Sequence, residues 1–282
     1  MLCCIGDLVE DVVVRLSSEI AERSDSDVTI TRRQGGSAAN VAVSAARAGA
    51  ASRFIGMVGS DAIGAALIAQ LCAAGVDARV QRQGSTGTIV VLVEPGGERS
   101  MLPDRAASTD LRVPAPDDLQ GVTWLHIPAY SLVVEPLASA AIDAIRVVHR
   151  SGGRISIDTS STAIIEHVGV DVFVELLSSL APNVVFCNED EGAMLGVEQR
   201  NGLPSVELTV MKAGGQPARA YSGGSVIAAV PANFVEDITD TTGAGDAFAA
   251  GFIIAAMESD DVSAAIASGH RHAARVLTEH ST

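Results

Sequence analysis

The sequence is short of lysine. Its 282 residues hold 18 Arg and a single Lys, Lys212. Chemistry that needs several lysines is excluded, and a Walker A phosphate loop has only Lys212 to draw on. Aromatic residues are scarce as well, at 3% of the chain against 48% apolar. The core must therefore be built mainly from Ala, Val, Ile and Leu. Positive charge is in deficit: 34 Asp plus Glu outweigh 19 Lys plus Arg, for a formal net charge of −15. Nucleic acid and anionic membrane surfaces both reward basic patches, so neither is expected as a partner. The four cysteines, Cys3, Cys4, Cys72 and Cys187, show no C-x-x-C spacing, which signals neither a zinc site nor a redox pair. All four read as small buried apolar residues. No apolar run is long enough to span a membrane. Ala247–Met257 is the most tempting, well short of the roughly 20 residues required, and Asp246 borders it. The first residues, MLCCIGDLVED, lack the basic region and long apolar stretch of a secretory signal, and the chain reads as cytoplasmic.

What the sequence does have is alternation. Leu2–Ile5 is an apolar run ending at Gly6-Asp7. Val12–Leu16 and Val28–Thr31 follow as further strand candidates. An Ala-rich helix is predicted from Ser37 to Ala48, opened by Gly35-Gly36 and closed by Gly49. Arg53–Val58 reads as a strand, and Ser60 as the cap of a helix that ends at Gly75. The rhythm breaks at Thr88–Pro103, where Val90–Val93 and Arg99–Leu102 flank Pro95-Gly96-Gly97 as a hairpin. It resumes with strands at Trp124–Ile127, Arg154–Ile157, Asn183–Phe186 and Leu208–Lys212. Helices intervene at Pro136–His149, Val172–Leu180 and about Asp190–Leu195. A hairpin around Gly223-Gly224 and two helices, Ala244–Met257 and Val262–Leu277, complete the chain. The pattern predicts an α/β fold, with a central, mostly parallel sheet flanked by helices and a small β unit. One domain over 1–282 accounts for it, since no linker, low-complexity tract or repeat interrupts it. The small β unit draws on about 11–33 and 88–103.

The densest chemistry lies in Asp240-Thr241-Thr242-Gly243-Ala244-Gly245-Asp246. Glycines let backbone approach a ligand closely. The first-turn amides of the following helix lack internal partners and carry the positive end of its dipole, an arrangement suited to phosphate. Asp246 is at odds with a bound anion unless it takes a proton from a nucleophile attacking that phosphate. Taken alone, the segment also reads as a Gly-rich turn with an acid at a helix start.

DTTGAGDAFAAGF, residues 240–252, is similar to the C-terminal signature of the ribokinase-like (pfkB) carbohydrate kinases. Gly35-Gly36-Ser37-Ala38-Ala39-Asn40 resembles their N-terminal GGxxxN signature. The two lie about 200 residues apart in the expected order, and the likeness extends to Gly6-Asp7 and to Asn188-Glu189-Asp190-Glu191. The resemblance implies a ribokinase-like fold with the small β unit as a lid. It implies transfer of the γ-phosphate of Mg·ATP to a hydroxyl of a small sugar.

Carried over residue by residue, it implies Asp246 as general base and Gly243, Ala244 and Gly245 as the anion hole. Asn188 and Glu191 match the motif that helps hold Mg²⁺, often through water. Read alone, that pair is a helix cap with a solvated acid. Asp7, Gly35, Gly36 and Asn40 are the implied acceptor contacts. Arg105, after the hairpin, is either a further contact or a solvated lid residue. Lys212, Gly214, Thr242 and His270 are the nucleotide-side candidates, with Lys212 alternatively covering the surface at its strand end. His126 and His149 read as structural.

The sequence departs from the family pattern in places. Ribokinases proper read GGKGAN where this chain has GGSAAN, which weakens ribose as the acceptor. The TxGxxG segment near the nucleotide has Lys212 for Thr and Pro217 for the last Gly. Asp240 and Thr242 are retained from the family's site for a monovalent cation such as K⁺. Its later Gly-Ala loop has no counterpart before Thr282. A nucleoside kinase of the same family is the nearest alternative, and a nonenzymatic sugar- or nucleotide-binding module a more distant one. A dinucleotide-binding dehydrogenase fails, because no GxGxxG follows the first strand. Unpaired lid edges make a homodimer through the lid an expectation.

Overall fold

The computed structural model describes residues 1–280 apart from Glu22, Gly97 and Thr239. The turn glycine Gly97 therefore lies outside the described residues. The chain opens with β1 (Leu2–Ile5), β2 (Val9–Leu16) and β3 (Val28–Gly35), then α1 (Ser37–Arg47). Next come β4 (Ser52–Val58), α2 (Ala62–Ala73), β5 (Asp77–Arg82), β6 (Thr88–Val93) and β7 (Arg99–Asp104). The middle holds β8 (Trp124–Pro128), α3 (Leu137–Arg150), β9 (Arg154–Asp158), α4 (Thr162–Val168) and α5 (Val170–Leu180). It continues with β10 (Val184–Asn188), α6 (Glu189–Leu195), α7 (Val197–Arg200) and β11 (Leu208–Lys212). The hairpin β12 (Ala218–Ser222) and β13 (Ser225–Val230) precedes α8 (Ala244–Glu258) and α9 (Val262–His280).

Among the described residues the main sheet has nine strands, ordered β13-β12-β11-β10-β9-β8-β1-β4-β5. Every pair from β11 to β5 is parallel, while β12 is antiparallel to both of its neighbours, β11 and β13. Alternation along β1 sends Leu2 and Cys4 to one face and Cys3 and Ile5 to the other. Each pair enters a separate apolar core. The first core includes residues of α1, α2, α8 and α9, the second residues of α3 and α5. Ala38, Ala39, Ala42 and Ala45 on α1 and Ala247, Ala249 and Ala250 on α8 are buried in the same core. Small side chains let helix axes come close, and this brings the two glycine-bearing segments together in space.

The second sheet has four strands in the order β3-β2-β6-β7. Its alternation separates two faces. Val14 opposes Ile30, Leu16 opposes Val28, and Val90 opposes Leu102. Ile30 and Leu102 are more than half exposed, so this outer face is apolar and open. The inner face carries buried Val13, Val91 and Val93 together with Asp11, Arg15, Arg33 and Arg99. β2 starts at Val9 and β3 reaches Gly35, each longer than the apolar runs suggested. The extensions are polar, and they hold the residues that matter to the site.

Other differences from expectation have simple causes. The cap of α2 is Asp61, not Ser60; its carboxylate accepts the Gly64 N–H at 2.8 Å and the Thr86 N–H at 2.7 Å. Cys72 is exposed, while Cys3, Cys4 and Cys187 are buried as read. β5 and α4 were not legible, because one is a polar edge strand and the other only seven residues long. No described helix is long and apolar enough to cross a membrane. Trp124 and Phe54 are fully buried in the core. His126 is also buried, its Nδ1 against Ser156 Oγ at 2.9 Å, and burial pushes its pKa down to about 4.

Candidate active site

In parallel α/β sheets, ligands bind at the carboxyl ends of the strands. Here those ends carry Asp158 on β9, Asn188 on β10 and Lys212 on β11, with Asn188 directly opposite Lys212. The N-terminal end of α8 adjoins them. Gly243 caps that helix in the left-handed region at φ 77°, a conformation that costs a side-chain-bearing residue energy. The Ala244 amide donates to the Thr241 carbonyl at 3.2 Å. Of the three expected anion-hole donors, Ala244 is thus engaged within the turn. The Gly243 and Gly245 N–H groups have no acceptor among the described residues.

Asp246 lies in the first turn of α8 and is held from α1. Ser37 Oγ donates to its Oδ1 at 2.7 Å, and Asn40 Nδ2 to its Oδ2 at 2.9 Å. Asn40 was expected at the acceptor; Ser37, variable within the signature, was not singled out. Burial pushes the Asp246 pKa up to about 6 and the Asp158 charge adds to this, while the Ser37 and Asn40 hydrogen bonds and Lys212 oppose it. A carboxylate so placed is ionised near neutral pH yet basic enough to accept a proton.

Lys212 is not a surface lysine. Its Nζ lies 2.6 Å from Asp158 Oδ2 and 3.3 Å from where a Cβ on Gly245 would sit. Burial alone would lower its pKa, but Asp158, Glu191 and Asp246 together raise it, so the ammonium stays charged. The single lysine therefore stands beside the turn that carries the free amides. Gly214 forms the exposed turn after β11, with positive φ and open space where a Cβ would be.

Asn188 and Glu191 form a capping box at the start of α6. Asn188 Oδ1 accepts the Glu191 N–H at 2.8 Å, and Glu191 accepts from Asn188 N and Nδ2, both at 2.9 Å. Thr159 Oγ1 donates to Glu191 Oε2 at 2.5 Å. Burial and then the Asp158 charge raise the Glu191 pKa. No group of three His, Cys, Asp or Glu among the described residues is arranged to hold a metal directly. The oxygen donors of Asn188, Glu191 and Asp158 instead fit Mg²⁺ held mainly by phosphates and its own waters.

On the acceptor side, Asp7 and Arg105 are brought together. The Arg105 fork donates to both Asp7 oxygens, at 2.7 and 2.8 Å, and to the Tyr130 carbonyl at 3.1 Å. Arg105 is mostly buried, which corrects the picture of a solvated lid residue. Gly36 sits at φ 103°, and a Cβ there would fall 2.1 Å from the Asp7 carbonyl oxygen. A Cβ on Gly35 would fall 2.1 Å from Asp11 Oδ1. Both glycines are required by close approach, and neither lines the cavity below.

Asp11 is the residue the sequence reading missed. Its Oδ1 is buried without a hydrogen-bond partner among the described residues. It lines a cavity of about 780 Å³ with Arg33, Asn40, Thr242 and Gly243. Burial, with the nearby Asp240 charge, pushes its pKa up to about 6 against the pull of Arg33. A buried orphan acceptor beside a cavity is a place for a ligand hydroxyl. The available signal was an acid followed immediately by the apolar Val12–Val14 run.

Asp240 and His270 are placed differently from expectation. Asp240 is buried and paired with Arg33 at 3.1 Å and Arg99 at 2.9 Å. His270 is nearly buried, with its ring edge against Phe248 and Nε2 at 3.1 Å from the Val230 carbonyl. Its burial lowers its pKa. That histidine locks α9 to β13 and is not turned toward a ligand.

A family model described as pfkB family carbohydrate kinase matches residues 1–282. The fructokinase of Klebsiella pneumoniae is 31% identical over 264 residues, covering 88% of this chain and 82% of that enzyme. The solved adenosine kinase of Sinorhizobium meliloti superposes with a TM-score of 0.86 at 23% identity, over 98% of this chain and 93% of that one. An uncharacterized sugar kinase of Pyrococcus horikoshii in complex with ATP gives 0.82 at 24% identity, over 97% and 91%. The structural likenesses carry the ribokinase-like fold. With the family model and the fructokinase identity added, the chain belongs to the pfkB family of ATP-dependent carbohydrate kinases.

Proposed function

We propose that this kinase transfers the γ-phosphate of Mg·ATP to a hydroxyl of a small sugar, with Asp246 as general base. The observation that carries the reading is the Asp246 carboxylate in the first turn of α8, fixed by Ser37 and Asn40 of α1. The acceptor sits in the cavity beside Asn40, and a second sugar hydroxyl donates to Asp11 Oδ1. Asp246 takes the proton as the acceptor oxygen attacks the γ-phosphorus, and the bond from that phosphorus to the β,γ-bridging oxygen breaks, releasing ADP. The Gly243 and Gly245 amides and the Lys212 ammonium stabilise charge developing on the transferred group. Phosphoryl transfer depends on such positioning and electrostatics more than on covalent chemistry.

Asn188, Glu191 and Asp158 would hold Mg²⁺, mainly through its waters, and the ion would supply charge neutralisation on the triphosphate. Asp158 keeps Lys212 in place, and Thr159 orders Glu191. The small sheet acts as a lid that excludes water from the cavity, so ATP is not hydrolysed.

A sugar is favoured over a nucleoside by what lines the cavity. No Phe, Tyr or Trp is among its described lining residues, so a base has no aromatic face to stack on. The apolar outer face of the lid, with unpaired edges on β3 and β7, supports a homodimer through that sheet. A coupled ADP-release assay over hexoses, pentoses, sugar acids and nucleosides tests the reading. A sugar giving the highest kcat/KM supports it, whereas turnover confined to a nucleoside contradicts it.

A further inference from the structure

The K⁺ site implied by the resemblance rests on Asp240 and Thr242. Asp240 is 5% exposed, and its oxygens already carry their partners. Oδ1 accepts the Thr242 N–H at 2.8 Å and faces Arg99 Nη1 at 2.9 Å. Oδ2 accepts from Arg33 Nη1 at 3.1 Å, with Arg15 Nη2 at 3.9 Å. Arg99 Nη1 also donates to Thr242 Oγ1 at 2.9 Å. The three arginines come from β2, β3 and β7, all on the inner face of the small sheet. With Asp11 counted, three positive charges stand against two negative ones. A further cation would meet repulsion at a carboxylate that is already hydrogen-bonded, so these residues do not fit K⁺.

The position of this cluster gives it a consequence. Asp240 shapes the turn through Thr242 that leads into Gly243 and the free amides of the anion hole. Whatever neutralises Asp240 therefore fixes that turn. We propose that Arg33 and Arg99 are the resident cation of this kinase: they order the anion-hole turn from the lid, and the enzyme works without a monovalent metal ion. Charge-assisted hydrogen bonds from a planar guanidinium hold direction as well as charge. The same contacts tie lid position to the phosphate site, so a displaced lid loosens the turn.

The proposal rests on the kinase reading, so the test has one arm that needs no turnover. Melting temperatures are compared in choline chloride and KCl at equal ionic strength, for the full chain and for Arg99→Ala and Arg99→Lys. Initial rates with Mg·ATP and the best acceptor are measured in the same salts. The expected result is wild-type melting and rate indifferent to K⁺. Arg99→Ala is expected to lose rate by about ten- to a hundredfold, mainly in kcat. Methylguanidinium should restore part of that rate, and Arg99→Lys, which keeps one charge, should fall between the two. Specific stabilisation or activation of the wild type by K⁺, or wild-type kcat in Arg99→Ala, overturns the proposal. Absence of turnover by the wild type on every acceptor counts against the kinase reading, and the melting arm still decides the cation question.

Discussion

Asn40 Nδ2 donates to Asp246 Oδ2 at 2.9 Å, joining residues 206 positions apart. The bond links the first turns of α1 and α8, and with Ser37 it orients the carboxylate. Hydrogen bonds to an ionised carboxylate favour that form, so removing one raises the pKa. Asn40→Ala should therefore move the acid limb of the kcat/KM profile upward by about one pH unit, the equivalent of one charge-assisted hydrogen bond. Ser37→Ala should act in the same direction. A pH–rate profile of each variant checks both.

The wild-type profile follows from the same group. Asp246 must be ionised to accept a proton, and its pKa is pushed up to about 6. Activity should rise with pH through that value and fall about tenfold per unit below it. Asp11 has a similarly raised pKa. If a bound sugar needs Asp11 ionised as well, the limb steepens, and Asp11→Asn should return it to the slope of a single group. The effect on stability has the opposite sign. Both groups hold protons in the folded state at pH values where the unfolded chain has lost them, so their contribution to stability declines as pH rises from about 4 to 6.

Asp11→Asn should also separate acceptor from nucleotide. It exchanges one orphan acceptor of a ligand hydroxyl for an amide that can present a donor there. The acceptor KM should rise by about ten- to a hundredfold, while the KM for ATP stays unchanged. Steady-state kinetics with each substrate varied in turn checks this.

Gly36→Ala should disable the site without touching its chemistry. The new Cβ would lie 2.1 Å from the Asp7 carbonyl oxygen on a backbone at φ 103°. Either α1 shifts, carrying Ser37 and Asn40 away from Asp246, or the first turn loosens. Turnover should fall by about 10²-fold or more, as for a misplacement of about an ångström. Circular dichroism alongside kinetics distinguishes this from global unfolding.

Much of this architecture was legible in the residues. Leu2–Ile5, Trp124–Ile127 and Leu208–Lys212 are short apolar runs between helical segments, and that pattern alone predicts a parallel sheet. GGSAAN and GAGD carry their own chemistry and marked both ends of the site. What stayed hidden depends on pairing across the chain. Arg33 and Arg99 lie on lid strands, and nothing local in the sequence shows that β3 and β7 aim them at Asp240. Lys212 was open between a nucleotide contact and a strand-end surface lysine, because Asp158, the partner that fixes it in the site, lies 54 residues away. The Asp7–Arg105 fork spans 98 positions, and each residue alone looks like an ordinary turn acid or surface base.

The central claim is that Asp246 is the base of the transfer. ADP release with Mg·ATP and the best acceptor, compared between the wild type and Asp246→Asn, tests it most directly, with ATP binding measured by calorimetry as the control. The account predicts unchanged ATP affinity and turnover reduced by at least ~10²-fold. Wild-type turnover in Asp246→Asn would contradict it.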